Sequence, residues 1–385
     1  MSEARPSRGA PDGLRDAPID SLRGAAISLV LLLHFALAFG VSDSAIGDLF
    51  GRPFTGALVR SGNYGVTIFF VVSGYLITSG LLARHGTLQR LDLKRFYVAR
   101  SGRILPPLAL ALGVIVPLGL AGLPFFDNSD GGASRPASFW WPAVGSVLTF
   151  WHNQLMQSEG YFNYCLNVYW SLSVEEVFYL VFPLLCLALR REGLVAGACL
   201  LLVAVGPWFR AAHADNEVAY LYAYPACFDA IALGCLCALA CRRGVLPAAW
   251  ARVLAPLALV AMVGVYFVGF AAHPVVGFSA MALATALFIA ATRAPAAAFG
   301  AGLCRALRSA TGPLRWLGRH SYELYLFHVI VLAAMRQFLS RESLHHDQRA
   351  PLLLAFVLTS AGVAWLVSQR FAEPINHRWR QRWRA

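Results

Sequence analysis

Arg23 and His34, eleven residues apart in IDSLRGAAISLVLLLHFALAFG, are the first residues of this chain whose types and spacing suggest chemistry. Eleven residues at about 100° each bring both side chains to one helix face, with a rise of about 16 Å between them. With Arg23 at a membrane surface, His34 falls near the middle of a hydrocarbon core about 30 Å thick. An ionisable imidazole is costly at that depth, and a neutral one suits general-base work.

Four further constellations sit on or beside apolar segments. In NYGVTIFFVVSGYLITSGLL, Ser73 precedes Gly74 in a branched and aromatic run; helix packing is the favoured reading for this small pair, with a polar contact to a neighbouring helix as the other. In LDLKRFYVARSGRILPPLAL, Lys94, Arg95, Arg100 and Arg103 interleave with Phe96 and Tyr97 before Pro106-Pro107. Such charge marks topology and attracts anionic lipid, and guanidinium forks beside aromatic rings also suit a phosphorylated, adenine-bearing ligand. In NVYWSLSVEEVFYLVFPLL, Glu175 and Glu176 point about 100° apart, so one of the two is expected to face a site; Tyr169 and Ser171 lie just before them as supporting or tunnel-lining groups. In HSYELYLFHVIVLAAM, Ser321, Tyr325 and His328 stand at i, i+4 and i+7, a polar stripe from which Tyr322 is displaced.

The elements that must hold these residues are membrane helices. Of 385 residues 58% are hydrophobic and only 14% charged, against about 25% charged in soluble chains. The expected fold is an all-α integral membrane protein with about ten transmembrane helices, near 22–39, 65–82, 104–123, 171–189, 194–210, 219–240, 249–271, 275–292, 321–338 and 351–368. The stretch 139–156, broken by Pro142 and flanked by Trp140, Trp141 and Trp151, reads as a short re-entrant or interfacial segment. One domain over 1–385 is expected, with basic tails at about 1–21 and 369–385.

The net charge of +12 is dispersed between apolar segments rather than gathered in a patch, which argues against nucleic acid. Most of the 32 lysines and arginines fall on one side when both termini are cytosolic, so the positive-inside rule selects that orientation. Ala36-Leu37-Ala38 after a basic start resembles a signal-peptide cleavage site, but His34 within the apolar run favours retention as an anchor. Cys235-x-Cys237 has no metal spacing, and no metal site is expected. The excess of arginine over the single lysine, Lys94, fits a bacterial coding bias.

Taken in order, Arg23 to His34, FFVVSGYLIT, RFYVARSGRILPPL, YWSLSVEEVFYLVFP, SYELYLFH and FAEPI make the chain resemble membrane-bound acyltransferase family 3, integral O-acyltransferases of surface glycans. The resemblance implies acyl-CoA, commonly acetyl-CoA, as a cytosolic co-substrate with no bound cofactor, and an acceptor hydroxyl on a carbohydrate or glycolipid. It implies catalytic roles for His34 and Glu175, acyl-CoA contacts for Arg23, Arg95, Arg100 and Arg103, and a supporting role for His328. A multi-pass place in the bacterial inner membrane follows. Some relatives carry an extracytoplasmic hydrolase-like domain; none is read before Ala385, so a separate extracytoplasmic partner is one expectation. Relatives tend to carry arginine before Phe228-Asp229, where this chain has Cys227. The rival from another class is a secondary transporter or flippase for a sugar-containing substrate, since intramembrane His, Glu and Arg also build proton relays.

Overall fold

The computed structural model describes residues 16–129, 132, 134–295 and 298–382. The N-terminal tail up to Arg15, three residues of the loop before Phe139, residues 296–297 and the last three residues of the C-terminal tail lie outside them. Every regular element among the described residues is helical. In chain order these are α1 (Ala17–Phe39), α2 (Ala45–Phe50), α3 (Arg52–Arg60), α4 (Asn63–His85), α5 (Leu93–Leu120), α6 (Trp140–Leu148), α7 (His152–Glu159), α8 (Trp170–Leu189) and α9 (Glu192–Ala212). They continue with α10 (Glu217–Tyr222), α11 (Tyr224–Arg243), α12 (Ala248–Val268), α13 (Gly277–Thr292), α14 (Ala301–Ala310), α15 (Gly312–Arg319), α16 (Ser321–Arg336), α17 (Arg349–Val367) and α18 (Glu373–Arg382).

All ten apolar segments are helical, and eight helical stretches are long and apolar enough to cross a membrane, with Gly277–Thr292 a shorter apolar helix. This is a multi-pass membrane protein. At about 1.5 Å per residue, the 16 residues of α16 rise less than a bilayer core, so this helix lies within the bundle rather than defining its thickness. Between helices the packing relies on backbone contact at glycines. A Cβ at Gly74 would fall 1.9 Å from Ile231 O, and one at Gly234 2.0 Å from Val71 O, so α4 and α11 touch main chain to main chain. Gly24 and Gly318 do the same for α1 and α15.

Three boundaries differ from the sequence reading, each for a local reason. α5 starts at Leu93 rather than 104, because the Asp92 side chain accepts from Arg95 N at 2.9 Å and caps the helix before the basic run. The basic loop is therefore three turns of a 28-residue helix, with Pro106 and Pro107 inside it. In 139–156 the break comes at Thr149–Trp151, where Phe150 has φ 62°, and not at Pro142. Pro142 sits in the first turn of α6, where its missing N–H leaves no bond unmade. Finally, the C-terminal tail continues α17 through a π-helical turn at Ser368–Ala372 into α18, which packs on α5.

Candidate functional site

A cavity of about 250 Å³ opens at the end of the bundle that carries the start of α1, walled by α1, α4, α5, α8, α16 and α18. Its cations are Arg23, Arg84, Arg100, Arg103 and Arg380. Arg84, Arg103 and Arg380 are exposed at the mouth, while Arg23 and Arg100 are partly buried further in. Arg23 Nη2 donates to Ser321 Oγ at 2.8 Å. Arg100 Nη2 donates to Glu176 Oε1 at 3.1 Å, and its guanidinium carbon lies 3.5 Å from the Tyr179 ring centroid.

The placement of these arginines follows from the early start of α5. Residues 96, 99, 100 and 103 share one helical face, which turns Phe96, Ala99, Arg100 and Arg103 into the cavity. Arg95 is rotated about 140° from Arg100 on that helix; it is exposed and is not among the residues that line this cavity.

Both acids of α8 line the cavity, where only one was expected to face it. The cavity is wider than one helix face, so the carboxylates meet different walls. Glu176 turns to Arg100 on α5, and Glu175 turns to α4, where Ser73 Oγ donates to Glu175 Oε1. Tyr179 OH donates to the same oxygen at 3.3 Å. The Ser73-Gly74 pair thus divides its work, with Gly74 admitting the α11 backbone and Ser73 turned toward the cavity.

The polar stripe of α16 leads inward from this cavity. Ser321 holds Arg23, and Tyr325 OH accepts from Ser171 Oγ at 2.7 Å while donating to Val168 O at 2.8 Å. Tyr322 also lines the wall, despite its displacement from the stripe, because α5 passes on that side and Ile104 O accepts from its hydroxyl at 3.0 Å. Tyr169 is fully buried outside the wall and donates to Leu326 O at 3.2 Å, which ties the start of α8 to α16.

One turn past Tyr325, His328 meets His34, with ring centroids 4.9 Å apart at 65°. The protonation pattern follows from the partners. His34 Nδ1 lies 2.9 Å from Val30 O, and His328 Nδ1 lies 3.0 Å from Leu324 O and 2.9 Å from Tyr325 O. A carbonyl only accepts, so both Nδ1 atoms carry hydrogen and both Nε2 atoms hold lone pairs in the neutral rings. His328 Nε2, 3.3 Å from His34 Nδ1, then accepts from it. This fixes the His34 ring with its Nε2 lone pair available. The residue set against His34 is therefore His328, and Glu175 is engaged with Ser73 and Tyr179.

The contacts Arg23–Ser321 and His34–His328 also show that α1 and α16 run in the same direction. Among the cavity residues, sequence reasoning missed Arg84, Glu176, Tyr179 and Arg380 as site groups. Arg84 had a usable signal, since it follows Ser73 by eleven residues, the spacing that relates Arg23 to His34. Arg380 had none, because nothing in a basic tail says that it returns to α5.

A family model described as an acyltransferase domain matches residues 16–368. O-acetyltransferase OatA of Staphylococcus aureus (strain NCTC 8325 / PS 47) is 34% identical over 130 residues, 33% of this chain and 20% of that protein. Peptidoglycan O-acetyltransferase OatA of Listeria monocytogenes serovar 1/2a is 31% identical over 169 residues, 43% of this chain and 23% of that protein. A putative O-acetyltransferase of Staphylococcus aureus strain COL is 34% identical over 140 residues, 34% and 21% of the two. The match spans about a fifth to a quarter of each of these relatives. No solved structure matches. The family match begins at the residue before α1 and runs to the end of α17, taking in the histidine pair and every cation of the cavity wall except Arg380, and on that extent the chain belongs to the acyltransferase 3 family.

Proposed function

We propose that this chain is a membrane O-acyltransferase that moves an acyl group, acetyl in the first instance, from acyl-CoA to a hydroxyl of a carbohydrate or glycoconjugate. The observation that carries the reading is the order of polar groups along α16: Ser321 and Tyr325 line the arginine-bearing cavity, and one turn beyond its lining Tyr325 meets His328, which holds His34. The mouth arginines suit the nucleotide phosphates. The pantetheine arm runs inward along α16 and presents the thioester toward the histidines.

His34 Nε2 is the general base. It takes the proton of the acceptor hydroxyl as the oxygen attacks the thioester carbonyl, and the C–S bond then breaks. The imidazolium returns the proton to the departing CoA sulfur, so the base is regenerated. His328 and Val30 O hold the Nδ1–H side and stabilise the charge that develops on the ring. Glu175 and Ser73 shape the inner wall along which the thioester passes. In this reading the cavity faces the cytosol, both termini are cytosolic, the chain sits in a bacterial cytoplasmic membrane, and the acceptor arrives from the membrane or its outer side.

The test is acceptor-dependent release of CoA thiol from acetyl-CoA by the detergent-solubilised protein, run beside His34→Ala. Release that disappears in the folded variant supports the reading. Undiminished release in that variant removes His34 as base, and an unsubstituted protein that binds no CoA removes acyl-CoA as donor.

A further inference from the structure

The cavity ends one aromatic ring short of the histidine pair. Neither His34 nor His328 is among the residues that line it, whereas Tyr325 is, and the Tyr325 and His328 ring centroids lie 5.9 Å apart. On the cavity side the Tyr325 ring meets Phe69 edge-on, with centroids 6.5 Å apart at 80°. Its hydroxyl is held by the start of α8, where Ser171 Oγ donates to it at 2.7 Å and Val168 O accepts from it at 2.8 Å. The backbone around Tyr325 is tied down separately. Tyr169 OH donates to Leu326 O, and His328 Nδ1 donates to the carbonyl oxygens of Leu324 and Tyr325. A path from the cavity to the histidines therefore opens by rotation of the Tyr325 side chain and not by parting of the helices. In a helix an aromatic side chain has two accessible χ1 wells, near 180° and −60°, because the third drives the ring into the preceding turn. Tyr325 thus has one alternative position, with a cavity of about 250 Å³ beside it.

We infer that Tyr325 is a latched gate between the donor cavity and His34, shut in this structure by Ser171 and Val168 O and opened when its side chain rotates away from the histidines. This rests on the acyl-CoA reading above. A general base must come within hydrogen-bond reach of the proton it takes, directly or through one water, and the closed ring separates the cavity from that reach. Tyr325 takes no part in bond making; it decides what meets the base. The shut state also answers a chemical hazard, since a cavity open to solvent would bring water as well as thioester to the Nε2 lone pair. With the gate unlatched and no acceptor present, a water oxygen attacks the thioester carbonyl while His34 Nε2 takes its proton. The C–S bond breaks, the sulfur receives that proton, and acetic acid and CoA thiol leave.

The probe is acetyl-CoA alone, at saturating concentration, with the full chain in detergent; binding of acetyl-CoA and acceptor-free release of CoA thiol are measured side by side. Release is expected to rise about tenfold in Tyr325→Phe, which loses both latch bonds, and about threefold in Ser171→Ala, which loses one. Both variants keep the ring, and adding His34→Ala to either should return release to the level of His34→Ala alone. Unchanged or lowered release in either variant overturns the gate and leaves the acyl-CoA reading standing, provided that the unsubstituted protein binds acetyl-CoA. A rise that survives His34→Ala overturns the gate as well, because the water is then activated somewhere other than at that base. An unsubstituted protein that binds no acetyl-CoA removes the acyl-CoA reading and the gate together.

Discussion

Two of the arginine–carboxylate pairs in this bundle differ in what surrounds them. Arg210 and Asp229 are 0% and 1% exposed, joined at 2.7 Å between Nη2 and Oδ2. Arg210 also donates through Nε to Val275 O at 2.9 Å, through Nη1 to Ala226 O and Asp229 Oδ1, and through Nη2 to Ser279 Oγ. That uses all the donors a guanidinium has. Arg100 and Glu176, by contrast, are 25% and 7% exposed and line the open cavity. Arg100 Nε is buried with no hydrogen-bond partner among the described residues, and one face of its guanidinium lies on Tyr179. The first pair is a closed knot that joins α9, α11 and α13; the second keeps capacity in hand beside a space that can receive a ligand. Residue type alone separates nothing here, and saturation of the donors does.

The largest expected effect lies at the histidine pair, one turn of α16 beyond the cavity lining. His34→Ala should lower acyl transfer by about 10²- to 10⁴-fold, the contribution of a positioned general base, without altering membrane insertion. Transfer within a few-fold of the unsubstituted protein would detach chemistry from that pair.

Breaking the closed pair tests the other side of the comparison. Asp229→Ala leaves Arg210 buried without its counter-ion and should cost about 3–5 kcal/mol of stability. Replacing both partners with apolar residues of similar volume should cost far less. Thermal unfolding in detergent reads both. If either protein stays folded but loses CoA affinity selectively, the knot is part of the donor site after all.

Opening the cavity pair should do the reverse. Glu176→Gln removes the counter-ion of Arg100 but keeps a hydrogen-bonding group beside it, so it should cost less than Asp229→Ala, about 1.5–3 kcal/mol, while the KM for acyl-CoA should change and kcat stay near its starting value. A loss of stability as large as that of Asp229→Ala would erase the distinction drawn here. The smallest effect is expected at Ser73→Ala, which removes one hydrogen bond to Glu175 and should cost about 0.5–1.5 kcal/mol. Abolished transfer in that variant would indicate a covalent route through the Ser73 hydroxyl.

Asp229 obtains its arginine from α9, across the bundle, rather than from its own helix, and Cys227 is left as a buried neighbour. A single sequence does not show that pairing, because the two residues are nineteen positions apart on different helices.

Much of the molecule was legible from the chain. Hydropathy located the apolar helices because a bilayer leaves few alternatives to satisfied, apolar spans. Helical periodicity put Arg23 and His34 on one face and set Ser321, Tyr325 and His328 in a stripe, since both follow from about 100° per residue. The tertiary structure alone decided which stripe faces which. It gave His34 to His328 and Glu175 to Ser73, turned both acids of α8 into one cavity, rotated Arg95 out of it, and returned α18 to α5, where Trp379 lies over Gly102. A periodic pattern fixes the face of a helix within its own frame, but the partner across the bundle depends on how helices approach and cross, which at Gly74, Gly234 and Gly102 is set by atoms that are missing rather than by those the sequence supplies.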